Sequence, residues 1–465
     1  MATQGAASLT VQDAIDRIGF GRFQKRLLGV SGVTWAADAA EVFLIAFALP
    51  QIVIDFDLST FESAVAVAAT FVGMLVGAWF WGTTADRIGR RKGFQITIGV
   101  FAVFGLLSAF APNFYWLLVL RALTGFGLGG AVPLDFSLFA EFLPRRNRGR
   151  WLVILESFWG VGMVAAAGLA WIIVPSLGWR PLLAVSALAG ALVFWVRLRI
   201  PESPRWLASQ GRNEEALAIL DEVARYNGQP EIGRGRLEIA RPGEQPGVKA
   251  LWTPSLVRAT AMLWIVWFFI ALSYYGLFSW LPSIFVERGF DIVKTYGYTL
   301  LLAVASLPGY FSAAWLVEKW GRQRTLAVYL GASAVFTYVY AVADSVGLIL
   351  TGACLMSFFT LGAWASLYAY TPELYPTNIR TTGMGAASGM ARIAGVAAPL
   401  IGGLLIPVSL VAALTVYAVS FAIATVTVVG LGRETREEAL ADTVAEEAGA
   451  VAGTRSRERG NVVPV

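Results

Sequence analysis

The chain has 465 residues, of which 57% are apolar and 14% charged. Soluble globular proteins carry about 25% charged residues, so this composition excludes an ordinary water-soluble enzyme. The net charge of +5 comes from 36 Lys and Arg against 31 Asp and Glu, with no histidine; its distribution along the chain, described below, excludes a nucleic-acid-binding patch.

In chain order, residues 1–24 set Asp13, Asp16, Arg17 and Arg22 among Val11, Ile15 and Ile18. That pattern predicts a short amphipathic helix on the cytoplasmic face, not an export signal. Twelve apolar stretches follow: 27–50, 60–84, 93–111, 114–137, 150–174, 180–198, 257–285, 295–317, 324–343, 346–371, 383–406 and 409–430. Each is near the roughly 20 residues a helix needs to span hydrocarbon. Barrel strands would be about ten residues long with alternating polarity, so the fold class is all-α, with twelve transmembrane helices in two pseudo-symmetric six-helix bundles. The expected organisation is a cytoplasmic segment 1–26, a bundle 27–198, a cytoplasmic loop 199–256, a second bundle 257–431 and a largely disordered cytoplasmic tail 432–465. Within the loop, PESPRWLASQGR (201–212) leads to a helix with Asn213 as N-cap, stopped near Gly228, and 229–248 reads as a linker.

Only Arg180, Arg288 and Lys294 fall in loops on one side of the membrane; apart from Arg121 and Arg392 within spans, the other basic residues fall on the side of the termini. The positive-inside rule then places both termini in the cytoplasm and the protein in the cell's inner (plasma) membrane. The single cysteine, Cys354, lies in a span, which leaves no intrachain disulfide.

The charges repeat at an offset of 232 residues. Asp86 recurs as Glu318, Arg87 as Lys319, Arg90 as Arg322, Lys92 as Arg324, Glu141 as Glu373, Arg148 as Arg380 and Glu202 as Glu434. Gly77 and Gly309, Gly89 and Gly321, Gly130 and Gly362, and Pro175 and Pro407 keep the same step. Ungapped registration over this length indicates two copies of one unit. A second set has no counterpart: Asp38, Glu41, Arg121, Asp135 and Glu156 map onto Ile270, Ser273, Ala353, Leu367 and Ser388, and Arg392 maps back onto Gly160. The repeated charges read as scaffold; the lone ones, inside spans, read as working parts.

GTTADRIGRRK (82–92) and VEKWGRQR (317–324) each join two spans by a tight cytoplasmic turn. An acid at one helix end near bases at the next forms a breakable latch at the membrane edge. Glu141 with Arg148, and Glu373 with Arg380, share one seven-residue spacing across the corresponding turns. With Glu202, Arg205 and Glu434, these groups make a candidate conformational latch that ties the halves together when the inner side is closed.

Here the chain resembles the major facilitator superfamily, whose hallmark is the loop motif at 82–92. PESPR (201–205) and PELYPTNIR (372–380) resemble its sugar-porter and organic-ion branch. ADAAEVFLIAFALP (37–50), GGAVPLDFSLFAEFLP (129–144) and YYGLFSWLP (274–282) resemble the synaptic-vesicle-protein-like and bacterial niacin-transporter group. Sugar porters carry paired glutamines and an asparagine in the seventh span, where this chain has WFFIALSYYGLF (267–278). The resemblance places Asp38 on the first-span aspartate of proton-coupled sugar porters and Arg121 on their fourth-span arginine, a pair that couples protonation to substrate movement.

Asp38 lies about eleven residues into the first span, roughly 16 Å, and Glu41 shares its face one turn on. Burial raises a carboxyl pKa and an adjacent arginine lowers it, so Asp38 is expected to take a proton when Arg121 moves away, with Glu41 as secondary site; the alternative is a permanent salt bridge. Asp135 and Glu156, each roughly seven residues inside the cytoplasmic edge, form a shared-proton pair, separate partners in a gate, or polar cavity lining. Arg392, about nine residues into the eleventh span, either pairs with an acid of the other half or grips a substrate carboxylate.

Trp35, Trp159, Trp267, Tyr274, Tyr275, Phe278, Trp364 and Tyr368 fall near mid-span or at helix-breaking regions; they either fill the bundle or line a substrate cavity, and Tyr274 and Tyr275 before Gly276 resemble an outer gate. Glycine clusters at Gly125, Gly127, Gly129 and Gly130 and at Gly383, Gly385, Gly389 and Gly395 serve close packing or bending. No GxxxxGK loop and no nucleophile constellation is present, so neither enzyme activity, cofactor nor metal is expected. The sequence points to proton-linked symport of a small organic acid by a single chain; the alternatives are a carrier of a sugar or other neutral or cationic metabolite, and a ligand receptor that does not transport.

Overall fold

The computed structural model describes residues 9–146, 148–185, 190–191, 200–233, 237–238, 247–376 and 379–436. The expected span at 180–198, the linker at 229–248 and the tail fall largely outside them. Helix α1 (Val11–Ile18) is followed by α2 (Arg22–Phe56), α3 (Thr60–Ile88), α4 (Arg90–Ser108), α5 (Phe114–Glu141) and α6 (Arg148–Leu177). The loop holds α7 (Pro204–Ser209) and α8 (Asn213–Tyr226). The second half contributes α9 (Val257–Glu287), α10 (Ile292–Trp320), α11 (Arg322–Val342), α12 (Val346–Tyr370), α13 (Arg380–Leu405) and α14 (Leu410–Leu431). Each fully described span of the sequence reading coincides with one long helix. Among the described residues nine helices are long and apolar enough to cross a membrane, and Phe114–Gly130 is a shorter apolar run. The first turn of α4 holds Arg90, Arg91 and Lys92, so its apolar length is short.

By contacts the chain forms two compact units. The first takes the described residues up to Arg241 together with Leu277–Val304 and Pro399–Leu410; the second takes the described residues of Pro242–Gly276, Ala305–Ala398 and those from Val411 on. In the first unit α3 lies directly on α5. A Cβ on Gly77 would stand 2.1 Å from the Phe126 carbonyl oxygen, so the helix backbones touch there. In the second unit a Cβ on Gly309 would stand 2.1 Å from the Phe358 carbonyl oxygen, joining α10 to α12 in the same way. Phe126 and Phe358 are themselves 232 positions apart, so the duplication visible in the charges is also a duplication of helix contacts. Gly125, Gly127, Gly129 and Gly130 all press on neighbouring atoms, which assigns the α5 cluster to packing.

The first unit includes the C-terminal segments of α9 and α13 and the N-terminal segment of α10. The Tyr296 hydroxyl donates to the Phe47 carbonyl at 2.7 Å, joining α10 to α2. Gly403 of α13 faces the Ala64 methyl and the Thr60 carbonyl of α3. The Trp280 indole donates to the Pro399 carbonyl at 3.2 Å, binding the α9 and α13 segments to each other. These contacts pack the 277–304 and 399–405 segments against α2 and α3 within the first unit.

The amphipathic helix is α1, but its apolar face packs on protein. Val11, Ala14, Ile15 and Ile18 are buried. Gln12 accepts from Arg148 (2.6 Å) and Arg205 (3.1 Å), and Asp16 accepts from the Arg145 amide at 2.7 Å. Thr10 caps the helix and donates to Asp13, which holds the Asp13 carboxyl below its ordinary range; the Arg145 charge acts in the same direction. In α8 the N-cap is Arg212, whose guanidinium pairs with Glu215, so Asn213 is the first helical residue instead.

Candidate functional site

Three lone charges of the first half are buried together in one unit. Asp38 and Glu41 are 1% and 2% exposed on α2, and Arg121 is 0% exposed on α5. The ion pair runs from Arg121 Nη2 to Glu41 Oε1 at 2.6 Å. The sequence reading gave Arg121 first to Asp38. Position along the helices explains the difference: α2 and α5 run in opposite directions, Arg121 lies near the N-terminal end of α5, and Glu41 lies about 4.5 Å nearer the C-terminal end of α2 than Asp38. Glu41 also approaches α4 at Gly105, where a Cβ would stand 3.3 Å from its carboxylate. Arg121 Nε and Nη1 have no hydrogen-bond partner among the described residues. Asp135 in the C-terminal half of α5 and Glu156 in the N-terminal half of α6 are both buried.

The aromatic residues singled out from the sequence fall into one group in each unit. In the first, Trp35 and Trp159 lie 5.7 Å apart, and Phe43 contacts Trp159 and Phe278 at 6.2 and 6.3 Å. In the second, Trp267 stands edge-on to Trp364 (5.4 Å) and Tyr368 (5.0 Å), and Tyr274 meets Trp364 at 5.9 Å and Tyr275 at 5.2 Å. The Trp267 indole donates to Thr371 Oγ1 at 3.0 Å.

Arg392 is half-buried within α13, with no hydrogen-bond or ion-pair partner among the described residues. Gly385 and Gly389 share its helix face by their spacing, and a Cβ on either would meet nothing within 4 Å. This glycine cluster, unlike that of α5, opens onto space. Gly383 differs from both, pressing on the Tyr375 ring.

The repeated charges form two matching clusters, one in each half. Glu202 accepts from the Arg91 amide at 3.0 Å, capping α4, and Glu434 accepts from the Arg322 amide at 2.8 Å, capping α11. The preceding residues, Gly89 (φ 103°) and Gly321 (φ 99°), turn through the left-handed region, where a side chain would be strained. Glu141 meets Arg90 at 3.8 Å, and Glu373 meets Arg322 at 3.0 Å, with Glu318 on the same guanidinium at 3.2 Å. The seven-residue spacing therefore does not mark the recorded partners: Arg148 turns to Gln12 and the Leu143 carbonyl, and Arg380 to the Tyr375 carbonyl. The bonds named here join helices inside one half. Asp86 ends α3, and its side chain lies outside the described residues.

Residues 27–440 match the family model described as sugar (and other) transporter. The chain belongs to this family. It is 41% identical over 387 residues to the niacin transporter NiaP of Acinetobacter baylyi, covering 83% of this chain and 88% of that protein. It is 38% identical to the putative niacin/nicotinamide transporter NiaP of Bacillus subtilis (90% and 98% covered), and 34% identical to a synaptic vesicle 2-related protein of Rattus norvegicus (94% and 83% covered). Its fold matches the partially occluded inward-open xylose transporter XylE from E. coli with a TM-score of 0.71 at 18% identity, over 90% of this chain and all of that one. This family member is therefore a multi-pass transporter of the major facilitator type with the twelve-helix fold, and not an enzyme.

Proposed function

We propose that the protein is a proton-coupled symporter of a small organic acid, with a flat aromatic carboxylate such as nicotinate as the fitting cargo. The observation that carries the reading is Arg392. A charge within a transmembrane helix is expensive unless it faces an aqueous path or a counter-ion. Arg392 has no protein counter-ion among the described residues, and the glycines on its face leave room before it. A substrate carboxylate supplies the missing charge in a bidentate grip, and the Trp267–Tyr274–Trp364–Tyr368 cluster in the same unit offers aromatic surfaces for a ring. The names of the two bacterial relatives agree with such a cargo.

Proton coupling rests on the buried Asp38, Glu41 and Arg121. Without histidine, carboxylates are the available proton carriers. Protonation of Glu41 removes the charge that holds Arg121, and Asp38, one turn away, is the second acceptor. Asp135 and Glu156 line the inward path. The two bundles, 27–198 and 257–431, alternate access around the substrate; the distribution of basic residues supports cytoplasmic termini in the plasma membrane.

Uptake of labelled nicotinate into proteoliposomes tests this. The reading expects accumulation with an inwardly favourable proton gradient, loss of accumulation with a protonophore, and strong loss in Arg392→Lys, whose point charge cannot form the planar two-bond grip. Uptake indifferent to the gradient would favour facilitated diffusion, and binding without uptake would favour a receptor.

A further inference from the structure

We infer that the indole N–H of Trp364 is a recognition group for the cargo, bonding an acceptor atom on its ring, and that it selects heteroaromatic acids over their carbocyclic analogues. This deepens the organic-acid reading and rests on it.

Trp364 is 6% exposed, in the C-terminal half of α12. Its Nε1 is buried and has no hydrogen-bond acceptor among the described residues. Buried donors are almost always paired, and a buried donor left without a partner is destabilising. Four other indoles of the chain follow the rule. Trp267 donates to Thr371 Oγ1, Trp280 to the Pro399 carbonyl, Trp179 to Asp55 Oδ2 and Trp81 to the Phe126 carbonyl. Trp264 also lacks an acceptor among the described residues, but it is only half-buried and stands against Trp252, outside the aromatic cluster.

The place of Trp364 distinguishes it. Its ring contacts Trp267, Tyr274 and Tyr368, at 5.4, 5.9 and 6.0 Å. It thus contacts each of the other three rings that would hold an aromatic cargo. An indole N–H donates only, so its complement is a lone pair. A carboxylate already has Arg392 in the same unit, which leaves the ring itself to supply the acceptor. The nitrogen of a pyridine carboxylic acid is unprotonated at neutral pH and meets that need. The corresponding carbon of benzoate carries a hydrogen and would leave the indole donor buried and unpaired. Sites that hydrogen-bond a substrate group discriminate against analogues lacking it for this reason.

Trp364→Phe keeps an aromatic ring and removes the donor. The test measures binding of nicotinate and benzoate to the full-length purified protein by calorimetry, with uptake of both by proteoliposomes. The expected result is a parent that prefers nicotinate, and a variant whose nicotinate affinity falls about tenfold while benzoate stays within about twofold, so that the preference disappears. Equal losses for the two acids, or no change in either, overturn the assignment of Trp364 while leaving the organic-acid reading in place. A parent that binds neither acid overturns both together.

Discussion

Tyr296 of α10 gives its hydroxyl proton to the main-chain carbonyl of Phe47 on α2, 249 positions earlier in the chain. Both residues are buried. In an alternating-access cycle that parts α10 from α2 on opening outward this bond would break, and a single neutral hydrogen bond contributes about 0.5–1.5 kcal/mol net. Tyr296→Phe should therefore shift the population toward the outward-open state roughly two- to tenfold. In a Cys354→Ala background, the rate at which an impermeant maleimide labels Ala48→Cys from outside reads that shift directly. An unchanged rate would remove the bond from the gate.

The Arg121–Glu41 pair should behave as buried pairs do. Arg121→Leu leaves a carboxylate without its cation and should cost about 3–5 kcal/mol of stability, most of it recovered when Glu41→Leu is added. Glu41→Gln should behave differently in transport: exchange of internal for external cargo continues, while proton-driven accumulation is lost. Thermal unfolding checks the first statement and a comparison of counterflow with gradient-driven uptake checks the second.

At Gly77 and Gly309 an added methyl would collide with a main-chain carbonyl at 2.1 Å. Each alanine variant should lose about 1–3 kcal/mol by forcing the helices apart. Gly99→Ala is the internal control, since nothing lies within 4 Å of its added carbon. Melting temperatures in one detergent suffice, and similar values for all three variants would contradict the close-contact account.

The docking of α1 should depend on pH with a definite sign. The folded Asp13 carboxyl lies below its ordinary value of 3.8, first through the Thr10 hydroxyl and then through Arg145. A lowered folded pKa adds stability above the unfolded value and loses it as pH falls through the folded one. The opening equilibrium of residues 11–18, read from hydrogen exchange corrected for its intrinsic pH dependence, should thus be steady from neutrality to about pH 5 and rise only below pH 4, the range of an ordinary aspartate. Thr10→Val should move that rise to higher pH. The carboxyl is partly exposed, so the effect should be small.

The span positions and the duplication were legible because both are one-dimensional signals. Apolar length marked α2 as readily as α14, and the 232-residue step found Glu202 and Glu434 before their capping role was visible. Partner choice was less legible. Arg121 could be assigned to a depth but not to one of two acids a single turn apart, because that choice depends on helix rotation and tilt. Glu141 and Arg148 misled for a related reason: their spacing recurs with the unit, yet each side chain finds its recorded partner on a different element. Tyr296 gave no signal, since its acceptor is a main-chain atom and every residue has one. The Trp364 donor could be noticed only once the acceptors of neighbouring indoles were known.

The matching pairs Gly77–Phe126 and Gly309–Phe358 have one more consequence. Contacts between main chains make few demands on surrounding side chains, so two duplicated bundles can keep one shape while their interiors diverge. That freedom permits a division of labour. On the proposed function, one copy would keep acids and an arginine for handling protons and the other a cation and an aromatic nest for the cargo, with neither specialisation disturbing the joints they inherited in common.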